Sequence, residues 1–166
     1  MTAFETIGKA ADLFEKVLDA LLRTLLGMII LVISYSVLMR YAFSRPPAWA
    51  EELSRFVFIW ICMIGAILVT REESHIEFTI VFDRLPAKLK IITKTVIRLL
   101  MLVFCWFLMR EGIRIYPIVA EASSPTFGIS MGWLYLSIPV GGALMGVFIL
   151  EKLLRSVLSR RTAQAK

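Results

Sequence analysis

His75 is the only histidine in the sequence. A single imidazole excludes bis-histidine haem ligation within one chain and any metal site that needs several imidazoles. Among polar neighbours His75 reads as a capping or hydrogen-bonding residue. The only two cysteines, Cys62 and Cys105, both fall inside apolar runs. A disulfide framework or a zinc site is not expected there, and both read as packing residues. Charged residues make up only 19% of the chain, and no carboxylate lies deep in an apolar run, the nearest being edge acids such as Asp19 and Glu111. A small four-helix drug/proton antiporter wants a carboxylate deep in a span, so that class has no candidate residue. No nucleophile is paired with a base, which argues against a membrane enzyme or redox subunit. No catalytic, cofactor-binding or metal-ligating residue is assigned.

What is abundant is apolar surface. Of 166 residues, 58% are hydrophobic, and the mean hydropathy is +0.78, far outside the range of soluble domains. A helix of roughly 20 apolar residues crosses the hydrocarbon core. Four such runs occur, at about 21–39, 53–69, 91–109 and 129–150. The expected fold is therefore an all-α integral membrane protein with four transmembrane helices, organised as one membrane domain over 1–166. An amphipathic arm covers 1–23 and a basic tail 151–166. The mixed charges before the first run, and that run's length, do not fit a cleaved signal, so the first span is expected to remain in the mature protein.

The 19 Lys and Arg residues divide unevenly. Fourteen lie on the face that holds both termini and the connection between spans two and three; five, Arg40, Arg45, Arg55, Arg110 and Arg114, lie on the other. The positive-inside rule then places both termini in the cytoplasm. Basic residues at span ends, rather than in one continuous stripe, also exclude nucleic acid as a partner.

Apolar residues at 4, 7, 11, 14, 18, 21 and 25 give the N-terminal segment one greasy stripe. Glu5 with Lys9, Asp12 with Lys16 and Asp19 with Arg23 are acid-before-base pairs four apart. This predicts a helix on the membrane surface running into span one; a helix packed on a partner's cytosolic surface has the same pattern. After span one, Arg45-Pro46-Pro47 ends one helix and opens the next at an outer corner. Glu51 and Glu52 are expected to neutralise Arg55 three or four residues on, near the membrane edge. They point about 100° apart, which makes them a poor acid/base pair. Trp49 and Trp133 fit an interfacial belt, and the deeper Trp60 and Trp106 fit helix packing. Gly142 and Gly146 form a small-xxx-small step. The stretch 70–86 is too short and too polar at its ends to span, and is expected along the cytoplasmic interface.

These residues carry a resemblance. Arg40, Phe43, Trp49-Ala50-Glu51-Glu52, Arg55, Trp60, Gly65-Ala66, His75 and Leu85-Pro86 resemble, in that order, the middle third of the small membrane (Q) subunits of tripartite ATP-independent periplasmic (TRAP) transporters. Size and four-span topology match over nearly the whole chain. The resemblance implies a large membrane subunit that holds the substrate and sodium sites and moves by an elevator mechanism. It also implies a periplasmic substrate-binding protein, and a bacterial inner-membrane location. The small, non-enzymatic subunit would enlarge the fixed scaffold, with sialic acid or C4-dicarboxylates as typical cargo. On this reading Arg40, Trp49, Glu51, Glu52, Arg55, Trp60 and His75 serve folding, partner or phospholipid contact, and Arg45, Arg110 and Arg114 dock the binding protein. The alternative is a self-contained homo-oligomeric four-helix transporter assembled through the glycine face.

Overall fold

Four long apolar helices dominate the computed structural model, which describes residues 3–71 and 86–164. Helix α1 spans Ala3–Phe43, α2 Ala48–Arg71 and α3 Ala87–Ala120. A one-turn helix α4, Gly132–Tyr135, leads into α5, Ser137–Gln164. Each of the stretches Asp12–Phe43, Ala48–Arg71, Ile92–Ala120 and Gly132–Leu153 is long and apolar enough to cross a membrane.

The helices run beyond the hydropathy bounds. The arm and the first span form one helix of 41 residues, about 61 Å at 1.5 Å per residue, roughly twice the hydrocarbon thickness. Helix α1 ends where Pro46 and Pro47 approach and Ser44 turns left-handed at φ 52°; the Arg45 N–H closes this end on the Met39 carbonyl at 3.2 Å. Helix α3 continues eleven residues past 109, to Ala120, so Arg110, Arg114 and Pro117 lie on a helix and not in the connection that the bounds 91–109 and 129–150 leave between the two runs. A proline inside a span is tolerated because neighbouring groups satisfy the freed backbone. The basic tail is likewise helical as far as Gln164. The interfacial stretch expected at 70–86 lies outside the described residues at 72–85, and His75 with it.

The packing order is α1, α2, α5, α3. Extensive contact joins α1 to α2, α2 to α5 and α5 to α3, but among the described residues not α1 to α3. The spans thus form a row with α5 in its interior, not a closed ring. The buried cluster of Ile64, Ile67, Cys105, Met145, Phe148 and Ile149 follows from that order, with Leu18 reaching in from α1.

Lipid chains are as apolar as leucine, so close packing, not water exclusion, holds such helices together. The sequence supplies small residues where this matters. A Cβ on Gly142 would stand 3.0 Å from the Cys105 carbonyl oxygen of α3, and one on Gly141 would stand 3.0 Å from the Met63 sulfur of α2. A Cβ on Gly112 would stand 2.7 Å from the Pro139 ring. Adjacent glycines on α5 thus admit its two neighbours on different sides. The small-residue step at Gly142 and Gly146 is used within the chain, against Cys105.

Candidate functional site

Several of the residues singled out in the sequence, Arg40, Trp49, Glu51 and Glu52, gather at one end of the row. Trp49, Glu51 and Glu52 occupy the first turn of α2, and their directions diverge. Trp49 stacks in a tilted arrangement on Tyr35 of α1, with centroids 5.7 Å apart. Glu51 forms an exposed ion pair with Arg40 of α1. Glu52 turns inward and is buried. Its carboxylate accepts the Ser124 hydroxyl and the Thr126 backbone N–H at 3.0 Å.

Neither acid therefore forms the ion pair expected with Arg55. That side chain is exposed and acts on Glu52 only through a weaker Coulombic attraction. The reason is geometric. The α1–α2 corner brings Arg40 beside Glu51, and the returning loop covers Glu52 with donors fixed in place, whereas a pair on the surface of one helix gains little.

The loop at 121–131 is the part sequence reasoning missed. It folds back on itself through Ser124 N–H to Ile129 O and Met131 N–H to Ala122 O, both 2.8 Å. Its turn is closed by Gly128 N–H to Ser124 O at 3.0 Å, and Gly128 adopts φ 64°, a conformation that suits glycine. The only signal was polar residues beside a proline and a glycine, which marks a turn but not its partner.

Of the other singled-out residues, Trp60 packs against the buried cluster. Trp106 is exposed on α3, with the Arg110 guanidinium 5.4 Å from its ring centroid. Arg110 and Arg114 both approach Glu111, at 3.9 and 3.7 Å. Arg45 is separate from them in sequence and exposed at the α1–α2 corner. His75 is outside the described residues. Among the described residues no cluster of His, Cys, Asp and Glu could hold a metal ion.

A second junction lies at the opposite end. Arg71, in the last turn of α2, bonds Asp12 and, at 2.9 Å, Glu15 of α1. Its guanidinium lies 5.4 Å from the Phe148 ring centroid, and that ring sits 6.3 Å from Phe14. Lys152 donates to the Thr70 carbonyl at 2.8 Å, a cation on the negative end of α2. Asp19 pairs with Arg23 as its spacing predicted, at 3.2 Å. Asp12 instead reaches Arg71, because a partly desolvated guanidinium on the adjacent helix is a stronger partner than an exposed lysine. Among the described residues, this end docks the arm on α2 and α5.

Comparison with known proteins supplies a family likeness. Residues 29–159 match the family described as "Tripartite ATP-independent periplasmic transporters, DctQ component". A putative TRAP transporter small permease protein of Haemophilus influenzae is 24% identical over 147 residues, 89% of this chain and 91% of that one. The sialic acid TRAP transporter small permease protein SiaQ of Vibrio cholerae is 29% identical over 129 residues, 78% and 75% of the two chains. The sialic acid TRAP transporter permease protein SiaT of Haemophilus influenzae is 28% identical over 109 residues, 66% of this chain but only 18% of that longer one.

Proposed function

Because the chain belongs to the family of DctQ components of tripartite ATP-independent periplasmic transporters, we propose that it is the small, non-catalytic membrane subunit of a sodium-driven uptake system for an organic anion of the sialic acid or C4-dicarboxylate type. One observation carries the reading: the family match at 29–159 takes in three of the four apolar stretches whole, together with residues 29–43 of the first, Asp12–Phe43. The match of this chain to a short part of the much longer SiaT permease supports a large membrane subunit as its partner.

In this role the row α1–α2–α5–α3 is a fixed scaffold beside the large subunit's moving part, in the bacterial inner membrane with both termini cytoplasmic. The Glu52 end is then periplasmic, where Arg45, Arg110 and Arg114 help dock the substrate-binding protein. Arg40, Trp49, Glu51, Glu52, Arg55, Trp60 and His75 hold the fold or contact partner and phospholipid. The exposed part of the arm lies along the cytoplasmic interface. The apolar runs offer no carboxylate for ion coupling, in keeping with a subunit that leaves transport chemistry to its partner.

The test is uptake in proteoliposomes carrying this chain, the large subunit, or both, with binding protein and a sodium gradient supplied. Uptake should need both chains, and the two should co-purify one to one. Transport by this chain alone would overturn the proposal and restore the homo-oligomeric alternative.

A further inference from the structure

In the loop at 121–131 the one charged residue is Glu121, at the end of α3; residues 122–131 carry no charge, yet they connect two spans and close over the buried carboxylate of Glu52. Six of the nine backbone N–H groups in 122–131 are turned in on the protein. Ala122, Ser124, Gly128 and Met131 donate to backbone carbonyls, Thr126 to Glu52 and Phe127 to the Ser124 hydroxyl. Non-helical backbone at membrane depth requires donors satisfied by protein in this way, whereas a water-exposed loop has no such need.

The Ser124 side chain is buried and Ser123 and Thr126 are exposed, as are the loop's large apolar side chains. Phe127 is 43% exposed, Ile129 46% and Trp133 61%. Trp133 is also the start of a stripe: Trp133, Val140 and Val147 are all exposed, and seven-residue spacing puts them on one side of a nearly continuous helix. The apolar loop tip therefore continues the side that α5 presents outward within the membrane. A soluble partner captured by charge would find none along 122–131. The interfacial layer, by contrast, accepts aromatic and branched apolar side chains on a charge-free loop.

The geometry points to this loop as a shallow membrane anchor: Glu52 pegs it in its folded form, and Phe127 and Ile129 enter the interfacial layer of the bilayer beside Trp133. The anchor depends on the four spans and not on the transport role; only the assignment of its leaflet follows from the proposed orientation. Glu52 acts as a positioning residue, and phospholipid is the partner.

The full chain, with Cys62→Ala and Cys105→Ala as background and Phe127→Cys carrying a bimane label, would be placed in phosphatidylcholine and phosphatidylglycerol nanodiscs. Lipid brominated near the glycerol end of its acyl chains should remove most of the emission, and aqueous iodide little of it. Ile129→Cys serves as the second site should the first variant fold poorly. Quenching by iodide alone would place the loop in water and overturn the anchor. Shielding from both quenchers would show protein covering the loop and would equally overturn it. Adding Glu52→Ala should shift quenching from bromolipid to iodide, with Glu52→Gln retaining most of the lipid quenching. No shift with Glu52→Ala would remove Glu52 from the mechanism.

Discussion

Glu52 and Thr126 are joined by a 3.0 Å hydrogen bond across 74 positions of sequence, from the first turn of α2 to the loop between α3 and α4. The bond fastens two connections at the same end of a row of helices whose outer members, α1 and α3, share no extensive packing among the described residues. With so little lateral closure, this end depends on polar contacts between connections.

Glu52→Ala should therefore loosen residues 121–131 selectively. The side chain of Ser124 and the backbone of Thr126 lose their acceptor, and an unsatisfied buried donor costs more than a satisfied one contributes. Hydrogen exchange of this segment should accelerate while α2 and α5 remain protected. Glu52→Gln, which keeps an acceptor oxygen, should change exchange much less. Equal protection in Glu52→Ala and the parent chain would contradict the fastening role.

Gly142→Leu should destabilise the α3–α5 contact by about 1–3 kcal/mol, the usual cost of overpacking a filled site, because even a Cβ there meets the Cys105 carbonyl at 3.0 Å. Gly146→Ala should be nearly neutral, since its Cβ would sit 3.7 Å from Cys105 Cβ. Unfolding in mixed micelles, with α3 and α5 labelled for energy transfer, compares the two. Equal stability of both variants would dismiss this account of the glycine step.

Gly112→Ala addresses the same helix pair about one turn away, where α3 meets Pro139. The added methyl would stand 2.7 Å from the ring of Pro139, which has few ways to give. A loss of about 1–3 kcal/mol is expected from overpacking, read as a lower thermal midpoint of the purified chain. Pairing it with Pro139→Ala should recover part of the loss.

Arg71→Ala should release the arm. The substitution removes the contacts to Asp12 and Glu15 and the approach to Phe148, a combined loss of about 1 kcal/mol given how exposed Asp12 is. Distances between spin labels at residue 16 and residue 147, both exposed, should broaden in Arg71→Ala and, because a point charge cannot reproduce the fork, narrow only partly in Arg71→Lys. Unchanged distance distributions would show that apolar packing of Phe14 and Leu18 suffices.

Lys152→Met should fray the end of α2. It keeps the apolar stem and removes the donor to the Thr70 carbonyl at 2.8 Å, for a loss of about 1 kcal/mol. Faster exchange confined to the last turn of α2 is the expected readout.

Much of this architecture follows from composition, because a bilayer constrains the backbone so narrowly. A run of apolar residues long enough to cross must be helical to satisfy its own peptide groups, so the number of spans and their approximate centres, and the corner at Pro46-Pro47, were legible in the chain. The lack of a carboxylate within the runs was equally plain, as was the resemblance carried by Arg40, Trp49-Ala50-Glu51-Glu52, Arg55 and Trp60. Helix ends were not, since hydropathy marks where lipid is favoured and not where hydrogen bonding stops. Hence α3 passes through Pro117 to Ala120.

Only the tertiary structure decided the partners. Local spacing offered Arg55 to both Glu51 and Glu52, and Lys16 to Asp12. The fold supplied Arg40 to Glu51, the loop donors to Glu52 and Arg71 to Asp12. Sequence distance governs pairing along one helix. The order in which helices lie side by side governs it between them, and that order, α1, α2, α5, α3, rests on shape: on which glycine admits which neighbour, a property no periodicity records.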